Sequence, residues 1–249
     1  MKDGFSIFDT HTHIGVGRHN GRVCSADDLL AAMDRHGVDR AVAIPFPVVE
    51  DWRAAHDEIG AAVRAHPDRL AGAACIFPEM SEAAFREELM RCVELYGFRA
   101  LKFQPQYHHL NPISPRSQYL FAAAAEHKLP VICHTGAGAP HALPSLFILP
   151  ARQFPDLPVV LAHAGGGLYA AEAIVAASVC PNIYVELSSL MPHHVLEMLQ
   201  HVPSSRLMIG SDLPSSVAAE IGKILTLEAP DDVKRDILWH TAAAVFGGN

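Results

Sequence analysis

Cysteine is scarce in this sequence, and the few cysteines follow no pattern. The chain has 249 residues and five cysteines, which lie far apart and form no C-x-x-C pair. An odd number of isolated cysteines argues against a disulfide framework and against a cysteine-bound structural zinc site. We therefore expect a protein whose cysteines stay reduced, as they do in the cytoplasm.

Long hydrophobic runs and an excess of positive charge are also missing. No apolar run approaches the roughly 18 residues that a membrane span needs, and residues 1–5 lack the basic and then apolar pattern of a signal peptide. Lys and Arg number 19 against 27 Asp and Glu, which makes the net charge −8. Because such a chain is a poor candidate for nucleic-acid or membrane binding, we expect a cytoplasmic protein that binds a small molecule.

Short apolar runs recur along the whole chain, with amphipathic segments between them. Eight continuous apolar runs are typical of a parallel sheet that is buried on both faces. We predict an α/β protein, a single (β/α)₈ TIM-barrel domain over residues 1–249. The rival fold, a doubly wound sheet, would carry a glycine-rich turn after its first strand, where this chain carries histidines. The predicted strands are 5–9, 40–46, 70–77, 98–104, 130–134, 158–163, 183–187 and 207–211.

Histidine is unusually frequent, with 16 copies against 19 Lys and Arg together. The first predicted strand leads into a run that contains Asp9, His11 and His13. Side chains alternate along a strand, so these three share one face, and the two imidazoles could bind one metal ion from the same side. For this motif alone, two partly exposed histidines at a strand end are the simpler interpretation.

Three other predicted strands also end in a residue that can bind a metal, namely His134, His163 and Asp212. In a parallel barrel the carboxyl ends of all strands meet at one rim, where active sites form. Each residue alone could be a buried histidine or a helix N-cap, but packing does not explain four strands that share the feature. Imidazole and carboxylate ligands suit Zn²⁺, with Mn²⁺ or Fe²⁺ as alternatives. The ligands predicted for one ion, with room for a water, are His11, His13, His134 and Asp212.

Lys102 lies in the fourth predicted strand, opposite the apolar residues Leu101 and Phe103. If the apolar pair faces the helices, Lys102 points into the mouth of the barrel, where a buried ammonium needs a partner. It could pair with Asp212 or with a substrate carboxylate, or become carbamylated and bridge a second metal ion. A lysine that merely extends to the rim is the simpler alternative.

Together these motifs resemble the amidohydrolase superfamily, specifically its amidohydrolase-related (family 2) branch of metal-dependent hydrolases and decarboxylases. The resemblance implies that His11, His13 and His134 bind a metal. It also implies that Asp212 binds the metal or takes a proton from its water, and that His163 polarises the substrate or moves a proton. The segments that carry the resemblance are 8–15, 29–42, 98–105, 134–136, 163–166, 210–214 and 237–242.

Two loops are candidates for substrate contact. In the glycine-rich segment 15–22, Arg18 or Arg22 could hold a carboxylate through two hydrogen bonds. In the segment 104–111, which follows Lys102, the candidates are Tyr107 and His108, although solvated loop residues are the simpler interpretation for each. Glu186, at the end of the seventh predicted strand, is a further candidate acid.

We therefore expect a metal-dependent hydrolase that acts on a small organic substrate, either carboxylate-bearing or a cyclic amide or ester, through a metal-activated water. Asp212 and His163 are the predicted catalytic residues. A non-oxidative decarboxylase similar to aminocarboxymuconate-semialdehyde decarboxylase, and a metal-binding barrel without activity, are the alternatives. We expect one metal ion, or two if Lys102 is carbamylated. The chain has almost no spare length for a cap over the active site, so a neighbouring subunit could cover it in a homodimer.

Overall fold

A computed structural model of the protein describes residues 1–78 and 80–247. Its nine strands form one curled sheet in the order β2-β1-β3-β4-β5-β6-β7-β8-β9, in which all neighbours except β1 and β2 are parallel. The strands are β1 (Phe8–Val16), β2 (Val23–Cys24), β3 (Arg40–Pro45), β4 (Leu70–Ala74), β5 (Ala100–Phe103), β6 (Val131–His134), β7 (Val159–Ala162), β8 (Ile183–Glu186) and β9 (Leu207–Met208).

Hydrogen bonds join the first and last parallel strands and so close the sheet into a barrel. The amide of Thr10 donates to Ile209 O at 3.0 Å, and the amide of Asp212 donates to His11 O at 2.6 Å. A parallel bridge also pairs Thr12 with Asp212. The predicted TIM barrel is therefore confirmed, and each of its eight predicted strands corresponds to an observed parallel strand.

The boundaries of the first strand were predicted wrongly. β1 does not end near Asp9 but continues to Val16, with an irregular register between Asp9 and Thr12. Its last two residues pair with the short antiparallel β2, which the sequence did not predict. The irregularity lies directly beside His11, as is common for bulges next to functional sites.

Eleven α-helices are assigned in the described ranges. A capping box on Ser25 opens the first helix, and Gly37, with φ of 75°, ends it. A π-helical segment, Asp236–His240, lies between the last two helices. The helices are α1 (Ala26–His36), α2 (Trp52–Ala65), α3 (Glu82–Tyr96), α4 (Pro105–His108), α5 (Gln118–Glu126), α6 (Ile148–Gln153), α7 (Ala170–Val179), α8 (Pro192–Leu199), α9 (Val217–Leu225), α10 (Asp231–Arg235) and α11 (Thr241–Phe246).

Alternate residues of each strand pack in two separate hydrophobic clusters. In β3, for example, Ala41 and Ala43 belong to the larger cluster, whereas Val42 and Ile44 belong to the smaller one. Both sets are fully buried, which explains why the strands appear in the sequence as continuous apolar runs. Each large apolar side chain removed from water stabilises the fold by about 1.5–3 kcal/mol.

None of the helices within the described residues combines the length and the apolar character that a membrane span requires.

Candidate metal centre

A cavity of about 330 Å³ opens at the carboxyl ends of the parallel strands. This is the end of a TIM barrel at which catalytic residues are found, and the volume suits a small ligand. Its lining is mainly polar, with five histidines and two cationic side chains. The lining residues are His11, His13, His19, Asn20, Arg22, Phe46, Pro47, Lys102, Gln104, Gln106, Tyr107, His134, Ala137, His163, Asp212 and Leu213.

Hydrogen bonds determine which nitrogen of each first-strand histidine carries the proton. His11 Nδ1 lies 3.1 Å from Glu186 Oε2, and His13 Nδ1 lies 3.0 Å from Pro45 O. Carboxylate and carbonyl oxygens accept hydrogen bonds, so both Nδ1 atoms are the donors and both Nε2 atoms are left with a lone pair. Burial lowers the pKa of His13 to about 3 and that of His11 well below its usual value, which keeps both rings neutral.

Three lone-pair atoms converge in the cavity. His11 Nε2 lies 3.2 Å from His13 Nε2 and 3.6 Å from Asp212 Oδ1, and His13 Nε2 lies 3.5 Å from the same oxygen. Ligand atoms of a tetrahedral zinc ion, about 2.0–2.2 Å from the metal, are roughly 3.3 Å apart. The spacing and the donor chemistry of these three residues therefore fit a divalent cation.

His134 lines the same cavity but stands apart from this group. Within the described part of the chain, two groups of potential ligand atoms beside this cavity lie within 4.8 Å of one another: His11 with His13 and Asp212, and His11 with His163 and Glu186. Neither group includes His134. The Nε2 of His134 donates to Ala137 O at 2.7 Å, which leaves Nδ1 as its lone-pair nitrogen. The structure thus brings three of the four predicted ligands together.

Lys102 is buried in the cavity wall beside this group. Its Nζ donates a hydrogen bond of 2.8 Å to His11 Nε2, so the ammonium and a metal cation would compete for the same lone pair. Burial lowers the pKa of Lys102, and the nearby Asp212 carboxylate opposes that effect. The prediction that Lys102 points into the barrel mouth agrees with this placement.

Glu186 connects His11 to His163. Besides accepting from His11 Nδ1, its Oε2 accepts hydrogen bonds from the amide of His163 at 2.9 Å and from Ser188 Oγ at 2.9 Å. Because the Ser188 hydroxyl donates its proton to Glu186, the Ser188 oxygen accepts a hydrogen bond from His163 Nδ1 at 2.7 Å. Nε2 of His163 is then a lone-pair atom as well, and burial lowers the pKa of this ring well below its usual value.

Both predicted catalytic residues have a left-handed backbone. The φ angle is 65° at His163 and 63° at Asp212, a conformation that costs a non-glycine residue about 1–3 kcal/mol. Buried hydrogen bonds hold each one there, from His163 N to Glu186 and from Asp212 N to His11 O. Backbone strain of this kind is concentrated at functional sites.

Two carboxyl groups beside the first-strand histidines, the buried Asp9 and the partly exposed Asp212, have raised pKa values. Burial raises the pKa of Asp212 to about 6, with Lys102 acting in the opposite direction. Burial likewise raises the pKa of Asp9 to about 7, although its Oδ1 accepts from the amides of His11 and Ser211 at 3.2 and 2.9 Å. Groups that titrate near neutral pH are suited to proton transfer.

The structure separates the four predicted substrate-binding residues. Lys102 and Tyr107 line the cavity, but Arg18 and His108 do not. Arg18 is turned outward with its Nη1 3.4 Å from Glu50, an exposed ion pair. His108 is buried, with Nε2 donating to Pro47 O at 3.0 Å. Of the two loop arginines, it is Arg22 that lines the cavity.

The sequence pattern placed Asp9 on one face with His11 and His13 and indicated Glu186 as a candidate acid, but it gave neither residue its supporting contacts. Ser188 follows Glu186 by two residues, but no local pattern indicates that it contacts a histidine 25 positions away. Gly210 was quoted only as part of a motif, yet a Cβ there would lie 2.5 Å from Glu186 Oε1.

Comparison with protein families gives one match over almost the whole chain. The family model described as amidohydrolase (Amidohydro_2) matches residues 8–248. A comparison with curated proteins found no match.

Several solved structures share the fold. One is 5-carboxyvanillate decarboxylase from Novosphingobium aromaticivorans DSM 12444, complexed with manganese and 4-hydroxy-3-methoxy-5-nitrobenzoic acid. It has a TM-score of 0.77 and 15% identity, over 98% of this chain and 97% of that one. A 2,6-dihydroxybenzoate decarboxylase complexed with 2,6-dihydroxybenzoate has a TM-score of 0.76 and 16% identity over 99% of each chain. The 4-oxalomesaconate hydratase of Rhodopseudomonas palustris has a TM-score of 0.73 and 17% identity, over 97% of this chain and 95% of that one.

Proposed function

We propose that this chain, which belongs to the amidohydrolase family, is a metal-dependent hydrolase of small carboxylate-bearing esters or amides. The observation that carries the proposal is the convergence of His11 Nε2, His13 Nε2 and Asp212 Oδ1 within 3.2–3.6 Å of one another. Both imidazoles are kept neutral, and their Nε2 atoms lie beside each other at the cavity, where that of His11 accepts from Lys102 Nζ. The open cavity in front of them leaves room for water and substrate.

His11, His13 and Asp212 would hold the ion, with His134 Nδ1 as a further ligand. A mixed imidazole and carboxylate set suits Zn²⁺ or Mn²⁺. When bound, such an ion lowers the pKa of a water and polarises a carbonyl group.

Asp212 is the residue that we assign to proton transfer from the attacking water. With a pKa of about 6, its carboxylate is ionised at neutral pH and accepts a proton at an oxygen. A carboxylic acid of that pKa also returns the proton readily to a leaving group, because the ideal pKa of an acid–base catalyst lies near the working pH.

His163 supports the same proton transfer from another side of the cavity. Since Ser188 holds its Nδ1, the side chain presents an acceptor nitrogen, Nε2, to the substrate. A neutral acceptor does not stabilise an oxyanion, so we assign His163 to accepting a hydrogen bond or proton from water or substrate rather than to polarising a carbonyl.

Lys102 and Arg22 make the cavity suitable for an anionic substrate. Both line it, and both are close enough to Asp212 to lower its pKa. These cationic groups suit either reaction. Decarboxylation leaves the bonding electron pair on the substrate carbon, acyl transfer develops charge on an oxygen, and a cation stabilises the negative charge in both cases.

Decarboxylation is the second candidate, because two solved structures with TM-scores of 0.76 and 0.77 to this chain are decarboxylases and one of them contains manganese. In that reaction, Lys102 would hold the substrate carboxylate, and the protonated Asp212 would supply the proton that replaces CO₂. The same residues would therefore act in both reactions, with Asp212 ionised before hydrolysis and protonated before decarboxylation.

The two reactions are separated by their products. A panel of small esters, lactones and amides that carry a carboxylate, together with hydroxybenzoates, is incubated with Zn²⁺- or Mn²⁺-loaded protein in ¹⁸O-labelled water. Hydrolysis incorporates ¹⁸O into the new carboxylate, whereas decarboxylation releases CO₂ and incorporates none. Turnover that survives complete removal of the metal would refute both proposals, and metal binding without any turnover would favour the non-catalytic barrel.

A further inference from the structure

A second cavity adjoins the one that contains the candidate metal centre. It has a volume of about 380 Å³, and it shares three lining residues with the first cavity: Arg22, Phe46 and Leu213. These three side chains line both spaces, so the two cavities are neighbours and one small molecule could extend from one into the other.

The second cavity differs from the first in its chemistry. Besides Phe46 and Leu213, its walls are formed by the apolar side chains of Val23, Cys24 and Pro214. Val23 is 71% exposed although it is apolar, so the entrance of this cavity is also apolar. Burial of such surface is favourable for any hydrocarbon group that enters.

The polar and charged residues that line the second cavity are Arg22, Asp28 and Ser215. The Asp28 carboxylate accepts hydrogen bonds from the amide and hydroxyl of Ser25, at 2.9 and 2.7 Å, as the cap of α1. Burial raises the pKa of the Cys24 thiol to about 11, so it stays uncharged at neutral pH. Arg22, on the border with the polar cavity, is the remaining charged side chain among the lining residues.

We propose that the second cavity binds an apolar arm of the substrate while the reacting group lies in the first cavity. This inference rests on the proposed function and narrows its substrate class to esters or amides that carry both an anionic group and an aliphatic or aromatic arm. Arg22 would interact with the anionic part at the border, and Phe46 and Leu213 would flank the arm where it crosses. A wholly polar substrate would leave the second cavity unused.

Binding of straight-chain carboxylates tests the inference without requiring catalysis. Acetate, butyrate, hexanoate and octanoate are titrated by calorimetry into the Zn²⁺-loaded protein. We expect the dissociation constant to fall by about fourfold for each methylene group that becomes buried. Equal affinity across the series would overturn the proposal.

Two substitutions at exposed positions test whether the second cavity causes the dependence of affinity on chain length. Ser215 lies at the second cavity, and Ser215→Trp should fill it and reduce the ratio of octanoate to acetate affinity at least tenfold, by about the effect of two methylene groups. Gln153→Trp, placed in a different cavity, is the matched control and should keep the wild-type ratio. An unchanged ratio in Ser215→Trp, or an equal loss in both variants, would refute the assignment of the arm to this cavity.

The inference and the proposed function fail in different ways. If octanoate binds more tightly than acetate but no ester or amide is hydrolysed, the proposed function is wrong and the apolar cavity still stands. If the monomethyl and monooctyl esters of succinate, which both carry a carboxylate, are hydrolysed with equal kcat/KM and the straight-chain carboxylates bind equally, hydrolysis stands and the apolar cavity has no part in binding.

Discussion

Glu186 Oε2 lies 3.1 Å from His11 Nδ1, and both side chains are fully buried. A carboxylate that accepts from the far nitrogen of a metal-binding histidine orients the ring and makes it a stronger ligand. Here the same oxygen also accepts from the amide of His163 and from Ser188. One carboxylate thus orients both a candidate ligand and a candidate catalytic base.

Replacing Glu186 should therefore weaken metal binding. In Glu186→Gln, the amide keeps the shape of the side chain but loses its charge, and we expect a 10- to 100-fold loss of Zn²⁺ affinity. Competition titration with a chelating dye measures it. Glu50→Gln, at an exposed residue, is the control, and equal affinities in both variants would show that Glu186 does not support the centre.

Ser188 should matter for turnover more than for metal binding. Ser188→Ala removes the acceptor for His163 Nδ1, so the ring is free to adopt the other tautomer. We expect kcat to fall roughly 10- to 100-fold, with a shifted pH profile and an unchanged metal content. Ser188→Thr should restore most of the activity, and Ser178→Ala is the control. If the pH profile stays the same while kcat falls, the tautomer explanation is wrong.

His108 should contribute to the pH dependence of stability, even though it lies outside the cavity. Burial lowers its pKa to about 4 from 6.5. Between these values the unfolded chain binds a proton that the folded chain does not, so the free energy of unfolding decreases as the pH falls through this window. Comparison of the wild type with His108→Gln isolates this decrease in the free energy of unfolding, which approaches about 1.4 kcal/mol per pH unit. Urea unfolding from pH 4.5 to 7.5 measures it, with His201→Gln, at an exposed position, as control. Parallel curves for wild type and His108→Gln would contradict the assignment.

A third group of metal-capable residues, His56, Glu88 and Cys92, should stabilise the fold instead of binding an ion. The buried Glu88 already accepts from His56 Nδ1 at 2.8 Å and from Arg91 at 2.7 Å, and Arg53 Nε lies 3.0 Å away. In Glu88→Gln the two arginines lose their anionic partner, and we expect a loss of about 3 kcal/mol in the free energy of unfolding at pH 7. Chemical denaturation checks this, with Glu87→Gln as the exposed control. A stabilising effect of Zn²⁺ that depends on Glu88 would contradict it.

The sequence predicted the barrel and the convergence of its polar residues because both follow from local patterns. Buried parallel strands appear as apolar runs, and the first polar residue after each run must lie at the common rim. His11, His13 and Asp212 could therefore be grouped from their positions alone. No sequence pattern indicated how far His134 would lie from these three residues.

The supporting contacts could not be predicted, because they join segments that are distant in the sequence. Glu186 is connected to β1 and to the turn after β7 only when the barrel closes. The loop after β1 is a similar case. Gly17 N donates to Arg22 O across this loop, and Arg22 lines the cavity whereas Arg18 does not. The charges of the two arginines are equal, so composition could not distinguish them.

The proposed function requires that His11, His13 and Asp212 bind a divalent ion. Elemental analysis of protein purified without chelator, with the wild type beside His13→Ala, tests this requirement. We expect about one zinc or manganese ion per wild-type chain and almost none in the variant, with both proteins folded. A wild-type protein that holds no metal even after incubation with Zn²⁺ or Mn²⁺, or a variant that holds as much as the wild type, would contradict the account.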